Sequence, residues 1–142
     1  MGGSRLAASV SGVPAGRGAD FIVIDGPLKP GAALSDARRA TCNNWYATVL
    51  CSRLNDEKAG CIILIMQRLH EDNLAGHVLE QEFWDVVPFP AIAEDDQSYM
   101  IESPFGSWSR QRRAGDALHL EREPFATLEA LRRGLGPYNF AG

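Results

Sequence analysis

Two short stretches decide the fold: Phe21-Ile-Val-Ile-Asp25 and Cys61-Ile-Ile-Leu-Ile-Met66. Neither alternates apolar with polar residues, so each reads as a strand buried on both faces, the usual state in a parallel sheet. The first ends in an acid and is stopped by Gly26-Pro27; the second is followed by Gln67-Arg68. Between them, Ser35 is placed to cap a helix over about 36–54, because Cys42, Trp45/Tyr46, Val49/Leu50 and Leu54 recur at helical spacing. Helical segments between apolar strands predict an α/β fold with a largely parallel sheet. Right-handed crossovers then place Asp25 and Gln67-Arg68 on one edge, at strand C-terminal ends where such sheets bind ligands.

Working outward, Arg5–Val10 reads as a short strand and Ser11–Gly18 as a glycine-rich loop. Leu28–Leu34 reads as a loop and Asn55–Gly60 as a turn. A second helix is expected over about 71–82 with Leu74 and Val78 inward, and a third strand over Trp84–Phe89, ended or put at an edge by Pro88. From Glu94 the composition turns polar, which divides the chain into 1–93 and 94–142. The second part reads as a loop or hairpin to Leu120, then a short helix starting at Pro124 and stopped at Gly134.

Composition narrows the function. The 142 residues carry a formal charge of -4, so contact with nucleic acid through bulk charge is excluded and any such contact is local. Three cysteines without a CxxC pair argue against a disulfide framework or a cysteine zinc site and suit a reducing cytosol. The longest apolar run, Cys61–Met66, is far too short to span a membrane; no signal peptide is read, and Leu6 breaks the myristoylation pattern that Gly2 would begin.

An acid directly after apolar β residues is the Walker B arrangement, in which a dry strand fixes a carboxylate that holds hydrated Mg²⁺ beside nucleotide phosphates. Asp25 fits it, although an Asp before Gly-Pro also simply starts turns. Gln67 and Arg68 are placed to sense a phosphate, and Arg17, between Gly16 and Gly18, to reach an anion; a solvated strand end and a surface turn are the plainer readings. No GxxxxGK[ST] loop occurs, and Lys29 and Lys58, the only lysines, lack its glycine spacing. His70 and His77 lie two helical turns apart, roughly 10 Å, too far to share a metal. Ser107, Ser109 and His119 have no nucleophile-elbow context. Arg110, Arg112 and Arg113 read either as a contact for phosphates or an acidic partner or as a solvated loop.

Taken together, several segments resemble one family. Residues 2–30, GGSRLAASVSGVPAGRGADFIVIDGPLKP, are followed by 43–80, NNWYATVLCSRLNDEKAGCIILIMQRLHEDNLAGHVLE. Then come FPAIAEDD (89–96), RRAGDALHLERE (112–123) and LGPYNFAG (135–142). In this order they look like the large subunit of tailed-phage terminases, the ATP-driven motors and nucleases that package viral DNA into the prohead. GRGADF, LCSRLND and IMQRLHEDNLAGH are the most specific pieces.

The resemblance implies the second half of an ATPase domain with a RecA-like, three-layer P-loop NTPase fold. Its Walker A loop would lie upstream, and 94–142 would lead towards a nuclease domain. It implies Asp25 as the Walker B acid holding Mg²⁺ through water, Gln67 and Arg68 in the coupling motif, and Arg17 in the loop ahead of Walker B. Mg²⁺ and ATP would be the cofactors. Double-stranded DNA, the portal protein and the small terminase subunit would be partners, with a homo-oligomeric motor in the cytoplasm of a bacterial host. The chain departs from the pattern at Gly26, where the family usually has a second acid, and at Leu120, where a proline is common. Lacking that acid and the phosphate loop, the chain is not expected to catalyse alone. A decayed prophage remnant, or a non-catalytic module of the packaging complex, is the alternative.

Overall fold

Phe21–Asp25 (β1) and Cys61–Ile65 (β2) pair in parallel, in register from Phe21 opposite Cys61 to Asp25 opposite Ile65. The computed structural model describes residues 3–10, 12 and 16–141, with backbone alone at 137–139 and 141. Ser11 and positions 13–15 of the expected glycine-rich loop lie outside the described residues. The architecture is mixed α/β: one parallel and one antiparallel sheet, each of two strands among the described residues. The chain divides into two compact units, Met1–Trp84 and Asp85–Gly142.

In the first unit the strands are joined through a helical turn, Pro30–Ala33 (α1), and a helix, Asp36–Trp45 (α2). The turn lies inside the stretch expected to be loop, where Pro30 sits at the helix start, a position that costs no hydrogen bond. Helical structure then continues as expected towards residue 54 but changes type. Tyr46–Leu50 is a π-helical turn, with the Cys51 N–H donating to the Tyr46 carbonyl, and Cys51–Arg53 closes as a 3₁₀ turn. After β2, Leu74–Gln81 (α3) begins behind Asn73, with Leu74 and Val78 buried as the spacing requires.

The core lies between one face of the β1–β2 pair and these helices: Ile24, Cys42, Tyr46, Leu74 and Val78, with Ile22, Ile62, Leu64 and Trp84 packed on them. This corrects the expectation of cover on both faces. Within this unit the described helices pack on the side carrying Ile22, Ile24, Ile62 and Leu64, while Phe21, Val23, Ile63 and Ile65 are exposed on the other.

Arg5–Val10 is not a strand; with only Leu6 and Val10 as large apolar residues it has little to bury, and Leu6 is exposed. Trp84–Phe89 is not a strand either: Pro88 and Pro90 cannot donate to a ladder, and Val86, Val87 and Phe89 are exposed.

The second unit is built on the hairpin Gln97–Ser103 (β3) and Gly106–Arg112 (β4). Residues 91–93 belong with it, since Ala93 N–H donates to Asp116 O and Leu118 N–H to Ala91 O. Arg112 is buried, and its guanidinium donates to Gln97 Oε1, Pro90 O and Asp116 O. One member of the expected arginine cluster therefore ties the hairpin to both flanking segments, while Arg110 and Arg113 are exposed. The closing helix, Phe125–Ala141 (α4), starts after Pro124, runs through Gly134 and breaks at Gly136 (φ 76°), two residues beyond the expected stop.

Candidate functional site

The C-terminal ends of β1 and β2 meet as the parallel reading requires. Beyond Asp25 the chain turns at Gly26, whose N–H donates to the Ile65 carbonyl at 2.9 Å, so the two strand ends are joined one residue past the ladder. Gly26 has φ +53°, a left-handed conformation that costs other L-residues roughly 1–2 kcal/mol. The position where the terminase pattern carries a second acid is thus occupied by a turn that glycine makes without strain.

Around this junction lies an open cavity of about 480 Å³. Its polar lining residues include Asp25, Lys29 and Gln67; its apolar ones include Leu28, Ile65 and Met66. Ala33 also lines it, and the wall is braced from α2: the buried Arg39 donates to Ala33 O at 2.7 Å and pairs with the exposed Asp36. A second cavity, of about 710 Å³, shares Leu28 and Lys29 and is lined further by Ser35, Arg38, Thr41 and Cys42. Cys42 is fully buried, and burial pushes its thiol pKa up, so the thiol is a neutral part of the core.

Gln67 is held by a residue that sequence reasoning did not single out. Asn73 is fully buried; its Nδ2 donates to the Gln67 carbonyl at 3.3 Å, and its Oδ1 accepts from Gly76 N–H at 3.1 Å, capping α3. Gly76 is obligatory there, because a Cβ would lie 1.7 Å from the Glu71 carbonyl oxygen. The signal was an Asn directly before an apolar helical run. Lys29 lacks phosphate-loop spacing in the sequence, but the turn at Gly26 brings it to the Asp25 cavity from a different kind of loop.

The structure thus brings Asp25 and Gln67 onto one cavity. Arg68 is exposed and does not line it; its guanidinium extends over α3, 3.9 Å from where a Gly76 Cβ would stand. Arg17 is exposed and lines neither cavity. His70 accepts from Asp72 N–H, and His77 is within hydrogen-bonding distance of Gln81, so each makes its own local contact.

Chemically, one carboxylate, one ammonium and one amide on an open cavity suit a small polar ligand or the edge of a larger one. They do not form an Mg²⁺–nucleotide site by themselves. Among the described residues no group of three or more His, Cys, Asp or Glu is placed to hold a metal ion. Asp25 has no acidic neighbour at position 26, and Mg²⁺ held by one carboxylate depends on phosphate oxygens and water for its remaining ligands. No described helix is long and apolar enough to cross a membrane. No protein-family model matches the chain, and neither a curated protein nor a solved structure does.

Proposed function

We propose that this chain is a segment of a tailed-phage terminase large subunit, drawn from the second half of a RecA-like, three-layer ATPase domain. The observation that carries the reading is the pairing of Asp25 and Gln67. They leave the C-terminal ends of two adjacent parallel strands and face one cavity, where open α/β sheets bind ligands. A Walker B acid beside a polar residue that follows the next strand is the arrangement the resemblance implies for hydrolysis and its coupling to movement. In the assembled motor the substrates would be Mg²⁺–ATP and double-stranded DNA, with the portal and the small subunit as partners.

The chain alone is a binding and positioning element rather than a catalyst. Gly26 cannot orient an attacking water, and neither Lys29 nor Lys58 lies in a phosphate-cradling loop. This favours, as the second reading, a non-catalytic remnant or module of the same machinery.

Two measurements test the proposal. Sequencing the DNA on either side should reveal a Walker A segment upstream and a nuclease segment downstream, intact or decayed; unrelated genes on both sides would overturn the assignment. A phosphate-release assay of the purified chain with Mg²⁺–ATP should give no turnover, and turnover abolished by Asp25→Ala would overturn the non-catalytic part.

A further inference from the structure

The cavity of about 710 Å³ beside α2 meets the Asp25 cavity only at Leu28 and Lys29, and the function proposed above makes no use of it. Its volume falls within the roughly 300–1,000 Å³ of small-molecule sites. Its lining is one-sided in charge: Lys29 and Arg38 are its charged residues, both bases, in a chain whose formal charge is -4. Ser35, Arg38, Thr41 and Cys42 recur at i, i+3, i+6 and i+7, so they share one face of α2. Among the described residues the ion pairs are Arg39 with Asp36 and His70 with Asp72, so neither Lys29 nor Arg38 is neutralised within the protein. Asp36, the acid of the first turn of α2, is engaged by Arg39 instead. The Ser35 hydroxyl, at the N-cap of α2, makes no capping bond, whereas the Thr41 hydroxyl is already donated to Ala37 O. The rest of the lining is largely apolar: Cys42 is fully buried, and Val10, Pro27 and Leu28 are half-buried.

We propose that this cavity binds a small phosphomonoester, whose phosphoryl group meets Lys29, Arg38 and the Ser35 hydroxyl and whose organic body lies on Val10, Pro27 and Leu28. A phosphomonoester is largely dianionic above pH about 6 and so matches two unpaired cations. A guanidinium can also engage two of its oxygens at once. A carboxylic acid brings half that charge, and a metal ion is repelled by both bases. A nucleic-acid duplex presents its phosphates in rows on a convex surface, whereas this site is a concavity with two cations and an apolar wall. The inference does not rest on the terminase reading, since it uses no metal ion and neither Asp25 nor Gln67.

Titrating phenyl phosphate into the isotope-labelled full chain at about pH 7.5, where the probe is dianionic, tests it, with EDTA present to exclude metal ions. Amide signals of 27–29, 35–38 and 41 should shift together with a dissociation constant below about 1 mM, while those of 65–67 stay in place. Inorganic phosphate should bind about 5-fold more weakly for want of an apolar body, and phenol should not bind. Arg38→Gln and Lys29→Gln should each weaken binding about 10-fold or more, with circular dichroism unchanged. Lys58→Gln makes the same charge change at an exposed residue lining neither cavity and should bind like the parent. If either cavity variant fails to fold, the salt dependence of the parent replaces it, and affinity should fall several-fold between about 50 mM and about 500 mM salt. No shift by about 10 mM phenyl phosphate, shifts centred on 65–67, or unchanged affinity in Arg38→Gln overturns the proposal. So does phenol or inorganic phosphate binding as tightly as phenyl phosphate, or a short DNA duplex displacing the probe at lower concentration.

Discussion

Asn73 and Gln67 are joined by a side-chain-to-backbone hydrogen bond: Asn73 Nδ2 donates to the Gln67 carbonyl at 3.3 Å across a six-residue separation. The same buried amide caps α3 through its oxygen. The strand exit that carries Gln67 and the start of the helix packed against the core are therefore fixed by one side chain.

Asn73→Ala should lower stability by about 2 kcal/mol, combining a lost N-cap with the loss of a part-buried hydrogen bond to the Gln67 carbonyl. Asn73→Asp keeps the capping oxygen but sets a carboxylate oxygen against the Gln67 carbonyl, so it should also destabilise. Urea unfolding followed by tryptophan fluorescence reads both. Asn73→Asp unfolding at the parent's midpoint would mean that the Gln67 bond contributes nothing.

Gly76→Ala is expected to cost more, at least about 3 kcal/mol. Its methyl would meet the Glu71 carbonyl oxygen at 1.7 Å, and that oxygen is backbone, not the movable end of a side chain. Gly31, where a Cβ meets nothing within 4 Å, is the control: Gly31→Ala should unfold close to the parent. A small shift at Gly76 would mean that the 71–76 turn opens without strain.

In the hairpin unit, Arg112→Met should destabilise by about 2–4 kcal/mol, since it removes the donors to Gln97 Oε1, Pro90 O and Asp116 O together. Arg110→Ala and Arg113→Ala remove exposed side chains and should each fall within about 0.5 kcal/mol. Thermal melts and limited proteolysis near residues 90 and 116 separate these outcomes; equal effects at all three arginines would contradict the clasp.

Stability should fall in alkali. Burial raises the Cys42 pKa above its ordinary 9.0. Burial, with the Cys51 thiol beside its hydroxyl, raises that of Tyr46 above 10.0. Both groups are neutral in the fold and ionise more readily in the unfolded chain. Their contribution is therefore complete below pH 9.0 and is lost as pH climbs through the unfolded values towards the folded ones. Denaturant midpoints measured from pH 7 upward should decline first with Cys42 and then with Tyr46. Cys42→Ala should remove the earlier decline and Tyr46→Phe the later one.

Much of the first unit was legible because its signals are local. FIVID and CIILIM, apolar runs without polar alternation, are the paired parallel strands, although one of their faces is exposed rather than buried, and the 3.6-residue recurrence of Cys42 with Tyr46, and of Leu74 with Val78, marks helix faces. The site was half legible: Asp25 and Gln67 follow apolar strands, so their place at one sheet edge follows from parallel pairing. Lys29 and Asn73 were not read as site residues: the Gly26 turn that carries Lys29 to the cavity has no sequence signature of a phosphate loop, and although Asn73 stands where a cap is expected, its second bond, to the Gln67 carbonyl, depends on how the chain leaves β2. Trp84–Phe89 misled for the opposite reason. Its apolar content resembles a strand, but without a free backbone donor at Pro88 or Pro90 and without a neighbouring strand it forms none.

The sequence by itself determined that two apolar strands run parallel, where the helices between and after them lie, and that an acid and an amide sit at the strand ends, since periodicity and β-branching act residue by residue. Only the tertiary structure decided how many faces of that sheet are covered. Burial belongs to the space around a side chain rather than to the side chain itself: Ile24 faces α2 and α3 and is buried, while Val23, one residue earlier and as apolar, faces away and is wet. The same holds for the arginines, because Arg112 differs from Arg110 and Arg113 only in where the fold places carbonyl oxygens within its reach.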